Sequence, residues 1–499
     1  MEVKKENMSE EIRTRIAPSP TGFFHIGTAR AALFNWLFTR RFGGKFILRI
    51  EDTDKERSTE EYEIDIMECM NWLGMDYDEG PETQGEFGPY RQSERSEIYK
   101  KYADQLLADG HAYRCYCTSE DLEAEKKSAE ANHLPPKYSG KCRNLTPEQI
   151  AQYEKEGRPS TLRFKIEEDQ PVKFKDLIKG PMEFDPKLFG DFVVLKSDGL
   201  PTFMFAGIVD DTEMRITHVI RGEDHLSNTP RQILLAQAMN LPIPEYGHLP
   251  MILNSDKTKM SKRKNPVSVS HDFRDQGYLP EAMINFMVLL GWSPSVNSIL
   301  DGPTKTDELY TLKDLTSGFD LADIGKSPAI FDQTKLDYFN GYYIRQMDLG
   351  ELTHRALPFL QKAGLIKKES EELLQIIALV QERLKKLSEL PELTDFFFHL
   401  PNYEADLLIP KKGTKEATLK ALEESSQALA QEDDFSRDSL DNLLRALAVK
   451  LGLSAGEVLW PIRAALSGKP ASPGTFELLG FFGKDESLAR MKKAIDMLK

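Results

Sequence analysis

Arg15-Ile-Ala-Pro-Ser-Pro-Thr-Gly-Phe-Phe-His25-Ile-Gly-Thr28 leads a short apolar run through two prolines and a glycine into a segment whose apolar residues Ala31, Phe34, Leu37 and Phe38 have helical spacing. The pattern predicts a strand over Thr14–Ala17 and a helix over Gly27–Phe42. Lys45–Ile50 reads as a second strand, closed by the acidic residues Glu51, Asp52 and Asp54. Ser58 with Glu61 forms a capping box ahead of a helix over Tyr62–Leu73. A strand–helix–strand–helix alternation implies an α/β, Rossmann-type domain with a parallel sheet, whose ligands bind beyond the carboxyl ends of the strands. The quoted segment lies at that edge.

Working outward, the pattern changes after Gly110. A cysteine-containing knuckle, a charged helix from Thr118, a loop at Pro135 and alternating residues over Thr161–Ile166 read as an inserted α+β module at 98–200, between catalytic halves at 1–97 and 201–255. Arg215–Ile220 is a further strand, and Thr229–Met239 a helix. Residues 256–338 carry a cationic loop and then helices. From 339 to 499 amphipathic segments recur, with stops expected at Gly364, Gly413, Gly452, Gly468 and Gly483, so the C-terminal region is expected to be an all-α bundle.

The chain has 499 residues, 40% hydrophobic and 29% charged, which suits several globular cores rather than a disordered chain. Its longest apolar runs, such as Phe286–Leu290, fall far short of the ~20 residues of a membrane span. Met1–Ile12 lacks the apolar core of a signal peptide, so a cytosolic protein is expected. A net charge of -15 argues against holding nucleic acid by bulk charge, so any such contact needs a local basic patch. Four cysteines exclude a disulfide scaffold.

A strand running through proline and glycine into a helix start collects phosphate. Backbone N–H groups and the positive helix end face the ligand, Gly27 permits close approach, and His25 can donate to a phosphate oxygen. Alone, a histidine there is more often a helix cap. Lys257, Lys259, Lys262, Arg263 and Lys264 place five cations in eight residues, a pattern usual for a solvated loop but also able to neutralise a triphosphate as pyrophosphate leaves. Cys115, Cys117 and Cys142 have a spacing that suits tetrahedral zinc, the plainer alternative being three core thiols. Cys69 reads as core.

His25-Ile-Gly-Thr28 together with Lys259-Met-Ser-Lys-Arg263 resembles the paired nucleotide signatures of class I aminoacyl-tRNA synthetases, in the form found in the glutamyl subgroup. Arg49–Ser58, Val209-Asp-Asp211, Thr217–Arg231 and Trp460–Gly468 extend the similarity to bacterial-type glutamyl-tRNA synthetases along nearly the whole chain. The resemblance implies ATP-dependent charging of tRNA with glutamate, with Mg²⁺ accompanying ATP, and a monomer that binds tRNA-Glu, while whether it also charges tRNA-Gln is left open by the sequence. Glutamate needs fixed cations for its acids and an anion for its amine, and Arg15, Arg221 and Glu51 supply those charges. By resemblance, Arg15, Ala17, Ser19, Phe203 and Arg221 contact glutamate and Glu51 its amino group. His25, Gly27, Thr28, Asp224 and Lys262 bind ATP, His25, Lys259 and Lys262 are catalytic, and Asp54 meets the tRNA acceptor end. Phe203 stands where family members commonly have tyrosine, and Gly207 where some have asparagine. Tyr138 is expected as the fourth zinc ligand, with His133 in reserve, because Asn144 replaces a histidine used elsewhere in the family. Phe396–Phe398 and Phe481–Phe482 could stack on bases but read mainly as helix core. Two rivals are a glutamyl-queuosine enzyme, which lacks the C-terminal domains, and an inactive tRNA-binding paralogue.

Overall fold

The computed structural model describes residues 11–133, 137–167, 170–258, 260, 267–294 and 308–499. The chain divides into two compact units, Met1–Arg274 with Pro280–Leu336, and Asp275–Leu279 with Asp337–Lys499.

In the first unit, β1 (Arg13–Ile16) leads to α1 (Ile26–Phe42) and β2 (Lys45–Leu48), with β1 and β2 parallel and Arg15 opposite Ile47. The α/β expectation holds. Backbone bonds from Leu48 to Glu79 and from Ile50 to Tyr90 extend the edge beside β2. Next, α2 (Glu60–Trp72) is capped not by Ser58 but by Thr59, whose hydroxyl accepts from Tyr62 N at 3.3 Å. The two hydroxyl residues are adjacent, and hydrophobic periodicity does not fix which one starts the helix.

Then come α3 (Ser96–Ala108), β3 (Ala112–Cys115), α4 (Ser119–Ala131), α5 (Pro147–Lys155), β4 (Thr161–Phe164), β5 (Val172–Asp176), β6 (Gly180–Phe184) and β7 (Phe192–Leu195). Strands β3, β4 and β7 form an antiparallel sheet, and β5–β6 form a separate hairpin. That hairpin belongs physically to the parallel sheet. Val172 shares a core with Ile47, Val219 and Tyr246, and Leu177 N donates to Tyr246 O. The sheet resumes after α6 (Phe203–Glu213), where β8 (His218–Gly222) and β9 (Glu245–Leu249) flank α7 (Thr229–Ala238) and run parallel, with Arg221 opposite His248. Thr217 N donates to Arg13 O, joining this pair to β1. From α1, Asn35 reaches Ile220 O at 2.8 Å. The short strands β10 (Ile252–Leu253) and β11 (Ala329–Ile330) pair in parallel around α8 (Pro280–Leu289) and α9 (Leu312–Gly318).

From α10 (Gln333–Gln346) onward the chain is helical: α11 (Leu349–Lys362), α12 (Glu371–Val380), α13 (Leu390–Phe398), α14 (Lys415–Gln431), α15 (Arg437–Leu451), α16 (Ala455–Ser467) and α17 (Thr475–Leu498). Gly452 and Gly468 end α15 and α16 in left-handed conformations, as glycine at that position does. Gly483, at φ 65° and ψ -172°, is non-helical and divides the α17 span into two helical stretches, as the expected stop there requires. Phe396 and Phe397 are buried, and the Phe397 ring lies 4.8 Å from Phe481, so these aromatics are core. No described helix is long and apolar enough to cross a membrane.

Candidate active site

A cavity of about 330 Å³ opens where the carboxyl ends of β1 and β8 meet the start of α1. Arg15, Ala17, Ser19, His25, Gly27, Thr28, Glu51, Phe203, Arg221 and Asp224 all line it. Asp54 does not; it is partly exposed and paired to Arg57 at 2.5 Å. Lys259 and Lys262 lie outside the described residues. Their neighbours on either side are placed, however: Met260 lines the cavity, and Val267 O accepts from Ile26 N at the first residue of α1.

His25 caps α1, its Nδ1 accepting from Gly27 N at 2.9 Å. A ring nitrogen that accepts leaves the proton of a neutral imidazole on Nε2, where it can serve as a donor. The capping role of this histidine is therefore observed, and it is compatible with a donor at Nε2. A Cβ at Gly27 would come within 3.2 Å of the same ring nitrogen.

The wall of the cavity rests on buried charge. Arg49, at 0% exposure, donates to Asp211 at 2.7 Å and to Glu51 at 3.1 Å, and lies 3.7 Å from Asp210. Arg15 donates to Asp211 at 3.1 Å, and Arg95 to Asp210 at 2.7 Å. Gln92 and Tyr99 also donate to Asp210. Burial pushes the Asp211 carboxyl up, but Arg15 and Arg49 outweigh it and hold it below the usual carboxylate value. At Glu51 burial wins over Arg49 and Arg15, so the carboxyl is raised, and its Oε2 has no hydrogen-bond partner. Glu51 lines the cavity, and a buried carboxylate oxygen without a partner at such a place suits a cationic ligand group.

Arg221 is the counterpart. Its Nη2 donates to Thr229 Oγ1 at 2.8 Å and Gln232 Oε1 at 2.7 Å, and its Nε to His248 Nε2 at 3.4 Å. These partners are neutral, and no carboxylate among the described residues pairs with it. Burial lowers it to about 10, which leaves it cationic at neutral pH. Three arginines meet three carboxylates in the charge cluster, and Arg221 stands as an additional buried cation, so the cavity favours an anion.

The departures at Phe203 and Gly207 have physical consequences. The Phe203 ring stacks on His225 at 5.2 Å, and burial, aided by Arg221, lowers His225 to about 4. A Cβ at Gly207 would lie 3.0 Å from Gln232 Nε2, so glycine gives room to the side chain that holds Arg221. Thr229, Gln232 and His248 received no role from the sequence. Two buried polar residues at i and i+3 on the face of α7, and a histidine within the buried run of β9, were the available signals.

Elsewhere, Cys115, Cys117 and Cys142 bring their sulfurs within 4.8 Å of one another. The Tyr138 hydroxyl lies 3.4 Å from Cys115 Sγ and 3.5 Å from Cys117 Sγ, and the Arg163 guanidinium covers its ring at 3.9 Å. Thiolates around zinc at ~2.3 Å form a tetrahedron with edges of about 3.8 Å, a size this set can meet with little movement. His133 is exposed and outside the cluster. Cys69 is fully buried in α2, as core.

Residues 11–338 match the family described as tRNA synthetases class I (E and Q), catalytic domain, and residues 351–495 match an anticodon binding domain. The chain belongs to this class I synthetase family. It is 44% identical over 485 residues to the glutamate–tRNA ligase of Symbiobacterium thermophilum, covering 96% of this chain and 99% of that one. The glutamate–tRNA ligase of Bacillus licheniformis is 42% identical over 497 residues, covering 98% and 100%. The crystal structure of a glutamate tRNA ligase from Elizabethkingia meningosepticum in complex with its amino acid superposes with a TM-score of 0.87 at 35% identity, covering 98% of this chain and 100% of that one.

Removing Arg49 takes from Glu51 its one hydrogen-bonded cation among the described residues and from Asp211 one of its two. Arg49→Leu should destabilise the first unit by about 3–5 kcal/mol, read as a fall in the midpoint of urea unfolding; an unchanged midpoint would show that the cluster is not what secures these strands.

Proposed function

We propose that the protein ligates L-glutamate to tRNA at the expense of ATP through a glutamyl-adenylate. The observation that carries this reading is one cavity in which two buried arginines and one unpartnered carboxylate oxygen, the complement of glutamate's charges, adjoin a helix start capped by His25. Arg15, Ser19 and Arg221 take the glutamate oxygens, Glu51 takes the ammonium, and Ala17 and Phe203 shape the wall. Adenine nucleotide lies along Gly27, Thr28 and Asp224, with Mg²⁺ on its phosphates.

In the first step a glutamate α-carboxylate oxygen attacks the α-phosphorus, and pyrophosphate leaves. No protein nucleophile is needed; catalysis is positioning and stabilisation of charge by His25, the α1 start and the cations Lys259 and Lys262. In the second step the 2′-hydroxyl of the tRNA terminal ribose attacks the carbonyl carbon of the adenylate and loses its proton, the ester forms, and AMP leaves as the acyl–phosphate bond breaks. Asp54 stands outside the cavity, where an acceptor end would approach, and residues 351–495 serve the anticodon arm.

The test is charging of purified tRNA-Glu and tRNA-Gln with labelled glutamate and ATP. Glutamate should be esterified to tRNA-Glu; no product, or equal use of glutamine, defeats the reading.

Two further outcomes follow from the site. Glutamate binding requires ionised Glu51, whose carboxyl is raised in the empty site, so kcat/KM for glutamate should fall as pH drops through that raised value. Glu51→Gln should flatten this acid limb and lower the plateau by about 10²-fold, as expected for an unpaired buried charge; a pH profile identical to wild type refutes the role. Cys115, Cys117, Cys142 and Tyr138 would hold one structural zinc, which fixes the knuckle when bound. Elemental analysis of protein purified without chelator should give about one zinc per chain, falling in Cys117→Ser; zinc-free protein after supplementation would leave the thiols as core.

A further inference from the structure

Behind Arg221 runs a connected row of buried groups that the adenylation chemistry does not use. His248 stands opposite Arg221 in the β8–β9 register, so the two side chains share one face of the sheet. His248 is completely buried; its Nδ1 lies 2.5 Å from Asp176 Oδ2, and its Nε2 lies 2.9 Å from Thr229 Oγ1. Thr229 in turn accepts from Arg221 Nη2. Asp176 is the last residue of β5, in the hairpin seated against β9.

The hydrogen-bond directions in this row are over-determined. Asp176 Oδ1 accepts from the backbone N–H groups of Ile178, Lys179 and His248. That leaves Oδ2 to accept from the histidine ring, so the proton of His248 sits on Nδ1 and Nε2 is an acceptor. An acceptor at Nε2 is what the Thr229 hydroxyl and the Arg221 Nε require, since the hydroxyl already accepts from Arg221 and must donate onward. Burial lowers His248, and the backbone donors with the His248 bond keep Asp176 below the usual carboxylate value, so a neutral ring beside an ionised carboxylate is the consistent state. A second proton on the ring would set a donor against a donor and a cation against Arg221.

We propose that Asp176 and His248 are positioning residues for substrate recognition: Asp176 fixes the Nδ1–H tautomer of His248, and His248, directly and through Thr229, aims the Arg221 guanidinium at the carboxylate of the amino acid. This rests on the reading of Arg221 as the carboxylate-binding residue. Neither group touches substrate, so their effect is on how well Arg221 is held.

Substitution separates this from simple packing. In Asp176→Asn the amide oxygen keeps the three backbone donors, which turns the NH₂ toward His248 Nδ1 and drives the ring proton to Nε2, the wrong tautomer in an unchanged shape. His248→Gln keeps an acceptor near the Nε2 position, and His248→Leu removes it. Steady-state charging at saturating tRNA should show the KM for glutamate raised roughly tenfold in Asp176→Asn and His248→Leu, the size of one lost buried hydrogen bond. The kcat and the KM for ATP should stay close to wild type, and His248→Gln should restore most of the affinity lost in His248→Leu.

Arg221→Gln is the reference. If it leaves the glutamate KM unchanged, the reading of Arg221 falls and the relay with it. If it raises that KM while Asp176→Asn leaves it at wild type, the relay alone is overturned. Equal damage to the glutamate and ATP constants in Asp176→Asn, or a His248→Gln variant no better than His248→Leu, would also overturn it as packing. Should His248→Leu fail to fold, Asp176→Asn and His248→Gln decide.

Discussion

Burying an arginine completely is costly unless anions or other acceptors are placed to meet it, and Arg49 sets that condition for the first unit. It stands just beyond the carboxyl end of β2, and its partners are Glu51, two residues on, and Asp211, near the end of a helix that follows the whole inserted module. The same helix supplies Asp210 to Arg95, and Asp211 also receives Arg15 from β1. Strands β1 and β2, the segment before α3, and α6 are thus brought together by one network. Its members are costly to bury singly and stable only when all are present, so the network selects a single arrangement of these elements.

The consequence for chemistry is an uneven distribution of unsatisfied charge. Within the network Asp211 is doubly paired and inert, whereas Glu51 keeps one oxygen without a partner. Across the cavity Arg221 is held by neutral groups only. A site with one open carboxylate oxygen and one uncompensated guanidinium is prepared for a zwitterion bearing an extra acid. The helix start beside it, with His25 as cap and Val267 bonded to Ile26, is the kind of terminus that suits a phosphate chain.

Much of this was legible in the sequence because it is local. The strand-turn-helix of residues 14–42 and the acidic stop after β2 each depend on neighbours within a few residues, and the spacing of Cys115, Cys117 and Cys142 lies within one continuous stretch that includes α4. Arg15, Glu51 and Arg221 could be named because a motif carries them, but their partners could not. The Arg15–Asp211 pair spans 196 residues, and nothing in the composition of either segment states that they meet. Choices between adjacent residues also escaped, as with Ser58 and Thr59, where backbone geometry and not residue type selects the cap. Gly483, by contrast, was legible, since its non-helical backbone separates the two helical stretches of α17. The β5–β6 hairpin was assigned by position to the inserted module, although its buried face and Asp176 belong with the catalytic sheet.

In the proposed function, glutamate recognition depends on the opposed charges of Glu51 and Arg221 in one cavity. The most direct measurement is a crystal structure of the protein with L-glutamate bound. A substrate carboxylate within hydrogen-bond reach of the Arg221 guanidinium and the amino nitrogen against Glu51 Oε2 is the predicted result. Glutamate bound with its ammonium away from Glu51 and both carboxylates away from Arg221 would contradict it.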